Sequence, residues 1–314
     1  MTALNTKYID LLTDYGFKRV FGNKALLIAF LNALFEDEGK VIKSVTYINK
    51  EMTPINRDDR TIFYDVLCKV DGQEDIIIEM QHKPQDTFRE RSLYYMSRAI
   101  DEQGAGKKKW KYKLHPVYGI FITNFHLKDV QLPEEPVSQY VIKNAKTNEV
   151  FTDKFKMFFI DLLTFKKTDE DELNSDLEKW IYSIKNMGNM TTAPRMASTG
   201  VFHHLYSEAE LAALSKRERN IYERSLRNYR DMLADKETTK NMLAREKKVA
   251  REEGLAEGRA EGRAEGIAEG RAEALADAYN EKLSSARNLK ALGTLSDAQI
   301  AAALGLTDQE VALA

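Results

Sequence analysis

The segment TIFYDVLCKVDGQEDIIIEMQ, residues 61–81, decides the fold because it holds two apolar runs with a turn between them. Both runs are rich in β-branched and aromatic residues, which favours strands. The turn contains Asp71-Gly72, a dipeptide typical of tight hairpins. The segment therefore predicts two antiparallel strands joined at this dipeptide.

The length of the loop decides which side chains of the two strands face each other. A three-residue loop over 71–73 pairs Asp65 with Glu79, so that their Cβ atoms lie about 5 Å apart on one face. Gln81, two residues further on, projects from the same face. A two-residue loop would instead pair Asp65 with Ile78, whose side chain points to the other face.

This pairing predicts a metal site, because two carboxylates at such a distance repel each other and their burial adds a desolvation cost. Oxygen ligands from Asp65, Glu79 and the backbone carbonyl of Met80 suit Mg²⁺ (or Mn²⁺). Such an ion activates water and stabilises charge on a phosphoryl oxygen, as phosphodiester hydrolysis requires. The alternative is that both acids are solvated on an exposed face, but Glu79 ends the apolar run IIIE.

The remainder of the first 165 residues alternates short apolar runs with helical patterns. Asp14 is well placed to open a helix, and a helix over Thr87–Glu102 would carry Leu93, Met96 and Ile100 on one face. Further strands are predicted in VIKSVTYI (41–48), PVYGIFITNF (116–125) and FKMFFIDLL (155–163). This order predicts an α/β fold with a mixed sheet flanked by helices, followed by an extended α-helical C-terminal region.

Five motifs, in this order, resemble the PD-(D/E)XK nuclease family transposases, also described as recombination-promoting (Rpn) nucleases. They are TDYGFKRVFG (13–22), LLIAFLNALF (26–35), YDV (64–66), IIIEMQ (76–81) and RERSLYYMSRAI (89–100). The resemblance spans roughly residues 8 to 165, and a weaker resemblance covers the AEGR repeat near the end of the chain. It implies a restriction-endonuclease-like fold and a metal-dependent DNA endonuclease linked to mobile elements or recombination. By the same likeness Asp65 and Glu79 are metal ligands, and Gln81 completes the catalytic trio.

Gln81 departs from the motif that names the superfamily, which has lysine at this position. Glutamine carries no charge and can only orient the attacking water through hydrogen bonds. We interpret the glutamine as a variant of this subfamily that leaves the enzyme active. Lys83 would lie on the same face if the strand continued, and would then stand in for the missing cation.

Several other residues have two interpretations each. Asp14 either caps the first helix or faces the metal site. Arg89, Arg91 and Arg98 on the helix after the motif strand either meet DNA phosphates or are solvated surface charges. The run GKKKWKYKLH (106–115) either contacts DNA or is a charged surface loop. Its DNA-contact candidates are Lys107, Lys108, Lys109, Trp110 and Lys111, because cations interleaved with aromatics suit a phosphate backbone with base stacking.

Bulk composition excludes some classes of protein. The 47 basic and 49 acidic residues give a net charge of -2, so the chain lacks the global basic signature of many nucleic-acid binders. Cys68 is the only cysteine, which excludes an internal disulfide, and its apolar surroundings predict a buried thiol. The five histidines show no metal-ligand spacing. Without a signal core or an apolar span, the sequence predicts a soluble cytoplasmic protein.

We divide the chain into four segments: a nuclease core (1–165), a helical region (166–253), a repeat that is a helix or a linker (254–275), and a small helical element (276–314). The repeat GLAEGRAEGRAEGIAEGR places glutamates, and for the most part arginines, every four residues, which creates like-charge neighbours on a lone helix. A partner helix would relieve this repulsion, so we predict a homo-oligomer. A flexible linker is the alternative.

The end of the chain has two capping-box patterns, Ser296-x-x-Gln299 and Thr307-x-x-Glu310. Its spacing resembles a helix-turn-helix, but the would-be recognition helix is acidic, so a helical cap or assembly element is the better interpretation. The rival to the enzyme hypothesis is a non-catalytic protein that self-associates on a nuclease-like scaffold.

Overall fold

The computed structural model describes residues 6–48, 51–52, 62–104, 111–128, 130–131 and 134–314. The chain divides into two compact units, Met1–Lys236 and Glu237–Ala314. Each unit has its own hydrophobic cluster or clusters, and the candidate site lies in the first.

The first unit is built on a mixed six-stranded sheet with the order β1-β4-β5-β6-β8-β7, and a two-stranded sheet pairs β2 with β3. The strands are β1 (Val45–Tyr47), β2 (Glu51–Met52), β3 (Ile62–Phe63), β4 (Val66–Val70), β5 (Glu74–Gln81), β6 (Val117–Thr123), β7 (Val137–Val141) and β8 (Phe155–Asp161). The helices of the chain are α1 (Asp14–Phe21), α2 (Lys24–Leu34), α3 (Phe88–Gly104), α4 (Asp176–Asn186), α5 (Gly200–Glu208), α6 (Lys216–Ala291), α7 (Asp297–Leu304) and α8 (Asp308–Leu313). The predicted α/β fold class is confirmed.

The β4–β5 hairpin has the register that a three-residue loop predicts. Val66 pairs with Ile78 and Val70 pairs with Glu74, with the turn over 71–73. Asp71 and Gly72 both have positive φ angles, 46° and 78°, which aspartate and glycine tolerate better than other residues. The same register extended by one residue places position 65 opposite position 79.

The two faces of the sheet carry different layers. Ile76, Ile78 and Met80 of β5 join the larger cluster, which also contains residues of α1, α2, α4 and α5. Ile77 points the other way and packs with α3. Because side chains alternate along a strand, Glu79 shares the α3 side of the sheet with Ile77.

Helix α3 is rotated relative to the sequence prediction. Met96 is buried as expected, but Leu93 is 46% exposed, and Tyr95 and Ala99 are buried in its place. The prediction for Leu93 is wrong because contacts with the sheet fix the rotation of the helix. At that contact Gly119 of β6 lies under Met96, whose Sδ atom would be 2.6 Å from a Cβ added to the glycine.

Two strand predictions needed adjustment. The stretch 41–48 contributes only the three residues of β1, and β7 at the opposite edge of the sheet was not predicted. Strand β7 is only partly buried, so its sequence VSQYV lacks the continuous apolar run of the central strands.

Helices beyond residue 165 complete the larger cluster of the first unit. Trp180 of α4 packs against Phe21 and Phe30, with ring centroids 6.2 Å and 5.7 Å away, and against Phe202 of α5. Cys68 is a buried free thiol as predicted, and burial raises its pKa to about 12.

The second unit is helical. The repeat lies within α6, and a Cβ added to any of its five glycines would meet no atom within 4 Å. Ile300, Ala301 and Val311 of the short helices α7 and α8 form a small cluster with Ala286. Both predicted capping boxes are confirmed. No helix among the described residues is long and apolar enough to cross a membrane.

Candidate metal and phosphodiester site

Asp65 and Glu79 lie side by side where strand β4 begins, and each binds the backbone of the other's segment. The carboxylate of Asp65 accepts a hydrogen bond from the backbone N–H of Met80 at 2.9 Å. The backbone N–H of Asp65 donates to Oε1 of Glu79 at 3.1 Å. At this end of the hairpin, these two bonds to side chains take the place of the backbone hydrogen bonds that would continue the strand pairing. The hairpin therefore ends in a pair of carboxylates.

Glu79 is only 2% exposed, which makes its charge costly. Burial is the largest cause of a raised pKa for this carboxyl group, and the neighbouring charge of Asp65 is the second. The Asp65 backbone N–H, the charge of Arg91 and the amide of Gln81 act in the opposite direction but do not restore the ordinary pKa. Burial and the charge of Asp65 therefore outweigh the contacts that favour the charged form of Glu79.

Gln81 lies on the same face as Glu79, as predicted. Its Nε2 donates to Oε2 of Glu79 at 3.3 Å, which leaves its carbonyl oxygen as an acceptor. The side chain is half-buried and therefore reaches solvent at the end of the strand. This arrangement orients the glutamine amide beside the carboxylate pair.

The backbone of Met80 also faces the pair. In an extended strand the N–H and C=O of one residue point toward the same neighbouring strand. The Met80 N–H binds Asp65, so its carbonyl is directed to that edge too, whereas the carbonyl of Gln81 accepts from the Asn124 N–H on the other side at 2.9 Å.

A hard divalent ion fits this donor set. The described residues contain no group of three or more His, Cys, Asp or Glu side chains that would hold a metal ion. The described residues thus offer two carboxylates and the Met80 carbonyl, and Mg²⁺ is commonly bound by one or two carboxylates while keeping several waters. Its charge would offset the repulsion and burial that raise the pKa of Glu79.

Helix α3 adds a cation and a tyrosine to this edge of the sheet. Arg91 Nε donates to the hydroxyl of Tyr95 at 2.9 Å, and Nη1 donates to Gln85 at 3.2 Å. The charge of Arg91 also lowers the pKa of Glu79. Arg91 is thus close to the carboxylates. The other two arginines of the prediction differ from it: Arg98 pairs with Asp101 at 3.2 Å, and Arg89 is exposed.

The structure shows the local setting of the two accessory candidates, Asp14 and Lys83. Thr13, not Asp14, caps α1, because the Thr13 hydroxyl accepts from the Gly16 N–H. Asp14 is the first residue of the helix and pairs with Lys18 one turn later. Strand β5 ends at Gln81, so Lys83 does not continue the alternation that would have brought it to the shared face.

Most of the basic run lies outside the residues that the structure describes. Lys107, Lys108, Lys109 and Trp110 lie outside the described residues, and Lys111 is exposed. DNA contact by this run stays a prediction.

Sequence reasoning missed a second polar pair on the same sheet. Nδ1 of His126, in the segment after β6, lies 2.6 Å from Oδ2 of Asp161 at the end of β8. The two residues are far apart in sequence and belong to no spaced motif. The only available signal was that parallel strands end at the same edge of a sheet.

The raised pKa of Glu79 predicts how the metal-free protein responds to pH. The folded state holds this proton more tightly than the unfolded state, whose value is near 4.5. Stability should therefore fall as pH rises above about 4.5. Glu79→Gln removes this loss, so at pH 8 without divalent ions we expect a melting temperature higher by about 5 °C, and almost no difference at pH 4.5.

Thermal unfolding at the two pH values, with EDTA and with Mg²⁺, measures this effect. Mg²⁺ should raise the melting temperature of the wild type and leave that of Glu79→Gln nearly unchanged, because only the wild type binds the ion through two carboxylates. Equal responses of the two proteins to Mg²⁺ would contradict a metal site at Glu79.

One comparison with known proteins found a match. The family profile described as "PD-(D/E)XK nuclease family transposase" matches residues 11–239, which include the hairpin, α3 and the helices that complete the first unit. No curated protein and no solved structure matches the chain.

Proposed function

We propose that this chain, which belongs to the PD-(D/E)XK nuclease family transposases, is a Mg²⁺-dependent DNA endonuclease that hydrolyses phosphodiester bonds. The observation that carries the proposal is the buried Glu79 carboxyl group beside Asp65, whose pKa is raised by burial and by the charge of Asp65. A cytoplasmic setting in mobile elements or recombination belongs to the same proposal.

Each residue of the site has a distinct role. Asp65, Glu79 and the Met80 carbonyl hold Mg²⁺, or Mn²⁺ in its place. The ion, when bound, lowers the pKa of water and stabilises charge on the phosphoryl oxygen. The free carbonyl oxygen of Gln81 accepts a hydrogen bond from the attacking water and orients it.

Arg91 supports substrate binding at the same edge. Its guanidinium is held by Tyr95 and Gln85, so it is ordered before substrate arrives. A guanidinium presents several donors in a plane and suits phosphate oxygens. Arg91 therefore binds the phosphate that reacts, while Gln81, which has no charge, positions water.

Nicking of supercoiled plasmid tests the proposal. The full chain should convert supercoiled to open-circular DNA in Mg²⁺ or Mn²⁺, and EDTA should stop the conversion. Nicking that persists in EDTA, or no nicking at any metal concentration, contradicts it.

Assembly through the C-terminal helical region stays part of the proposal. Three apolar side chains of α6, in or just after the repeat, are exposed: Leu255, Ile267 and Leu275. A second helix could cover them and offset the like charges of the repeat. Sedimentation of the full chain and of residues 1–253 tests this: the same oligomeric state in both contradicts it. The rival hypothesis, a non-catalytic assembly protein, predicts oligomers without any metal-dependent nicking.

A further inference from the structure

Three parallel strands of the sheet end in one row of polar side chains. The register places Gln81 of β5 beside Thr123 of β6, and Thr123 beside Asp161 of β8. All three share the face that carries Glu79, because the residues two positions earlier in β6 and β8 pack in the α3-side cluster. With neighbouring strands about 4.8 Å apart, the row extends about 10 Å from Gln81 to Asp161.

Asp161 holds the ring of His126 at the far end of this row. Asp161 is 6% exposed, and its Oδ1 accepts the Leu163 N–H at 2.8 Å while its Oδ2 lies 2.6 Å from Nδ1 of His126. The His126 side chain is 39% exposed. Within the described part of the chain no hydrogen-bond partner meets its Nε2. Asp161 therefore fixes Nδ1 of the His126 ring, and Nε2 is available to bind a ligand.

His126 also lines a cavity whose wall carries further cations. The cavity has a volume of about 260 Å³ and is lined by residues 84–86, 88–89 and 125–128. Arg89 and Lys128 bring two cations to its wall, and Asp86 is the one carboxylate among the described residues that line it. Lys128 pairs with Asp86 at 3.0 Å, but the Asp86 side chain is 82% exposed, and ion pairs so exposed are weak enough to exchange for another anion.

We propose that His126, Arg89 and Lys128 bind a backbone phosphate of the DNA strand that lies over the nuclease site, with Asp161 as the positioning residue for His126. This inference rests on the proposed nuclease function and extends it to a flanking contact. In the imidazolium form both ring nitrogens donate, so Nδ1 binds Asp161 and Nε2 binds the phosphate.

The distance along the row decides which phosphate is bound. About 10 Å spans roughly one or two phosphates of one strand, because phosphates that wind around the duplex are farther apart than its axial rise of 3.4 Å. The subsite therefore holds a phosphate one or two nucleotides from the scissile bond and directs the path of the strand. Such contacts carry no sequence information.

Binding measurements on the full chain test the subsite. Fluorescence anisotropy with a labelled 20-base-pair duplex would use Ca²⁺ in place of Mg²⁺ to keep the strand intact, over a range of salt concentrations. His126→Gln should weaken binding about fivefold, and its combination with Arg89→Gln and Lys128→Gln about 100-fold. The slope of log K against log salt should fall by about 0.9 for each cation lost.

Matched variants separate charge from general surface effects. His126→Lys should retain most of the affinity and the slope, because it restores a cation. Lys146→Gln is the control, since Lys146 is exposed like Lys128 but does not line the cavity. This substitution should leave the affinity and the salt slope unchanged. In Mg²⁺, His126→Gln should raise KM about fivefold and leave kcat unchanged, as expected for a contact remote from the reacting bond.

The positioning role of Asp161 has its own test. The carbonyl of asparagine still accepts the Leu163 N–H, but its NH₂ group cannot accept a proton from His126. Asp161→Asn should therefore weaken DNA binding about fivefold in the wild-type background and less than twofold in the His126→Gln background. An equal loss in both backgrounds would show a purely structural role and overturn the assignment.

The outcomes for the subsite and for the nuclease are distinct. Salt-dependent binding that depends on the three cations, without nicking by any protein, would leave the subsite standing and remove the proposed enzyme. Nicking with unchanged affinity and salt slope in the triple variant would overturn the subsite and leave the enzyme. Absence of DNA binding by the wild type overturns the subsite directly.

Discussion

Asp65→Asn and Glu79→Gln should each lower Mg²⁺-dependent nicking at least about 10³-fold, a loss of roughly 4 kcal/mol in transition-state stabilisation. Each substitution removes one of the two charges that we propose hold the ion. Both preserve the local hydrogen bonds, because the amide oxygens can still accept from the N–H groups of Met80 and Asp65. The loss is therefore expected in folded protein.

Single-turnover nicking of supercoiled plasmid, with circular dichroism of each variant, measures this loss. Glu90→Gln is the matched control, since Glu90 is an exposed acid on α3, and it should nick at the wild-type rate. Gln81→Ala should lose less, about 10- to 100-fold, because it removes an orienting hydrogen bond and no charge. Equal nicking by the Asp65, Glu79 and control variants would defeat the assignment of this site.

Gly16→Ala should destabilise the first unit by about 3 kcal/mol, the largest stability effect that we expect from a single added methyl group. A Cβ at this position would lie 2.2 Å from the backbone oxygen of Asp10 and 3.0 Å from Oγ1 of Thr13. The Asp10 oxygen cannot retreat cheaply, because it accepts from the Thr13 hydroxyl at 2.6 Å and from the Thr13 N–H at 3.1 Å. Relief of the clash would break the cap of α1.

Urea unfolding followed by tryptophan fluorescence measures this effect. A Trp110→Phe background leaves Trp180, buried in the core of the first unit, as the only tryptophan. Gly262→Ala is the control: it lies in a helix with nothing within 4 Å, so alanine should be neutral or stabilising by up to about 1 kcal/mol. Similar midpoints for wild type and Gly16→Ala would show that the contact with Asp10 yields easily.

The carboxylate pair was predictable from sequence because its geometry depends on local rules. Side chains alternate along strands, and the three-residue turn at Asp71 fixes which residues face each other, so Glu79 follows from Asp65 by counting. The capping boxes at Ser296 and Thr307 were predictable for the same reason, since each is complete within four residues.

Other features needed the assembled fold. The rotation of α3, which buries Tyr95 and exposes Leu93, depends on the sheet beneath it. The choice of Thr13 over Asp14 as cap depends on the close approach of the Asp10 backbone to Gly16. No periodicity within either segment records these contacts.

The sequence by itself determined the fold class and the shared face of Glu79 and Gln81, because period-two alternation acts over a few residues. It allowed a loop of two or three residues at Asp71, and the pairing of the strands selected three. Only the tertiary structure decided the burial that raises the pKa of Glu79, the place of Arg91 beside it, and the pairing of His126 with Asp161. These depend on strands and helices brought together from distant parts of the chain, and long-range contacts leave no local pattern in the sequence.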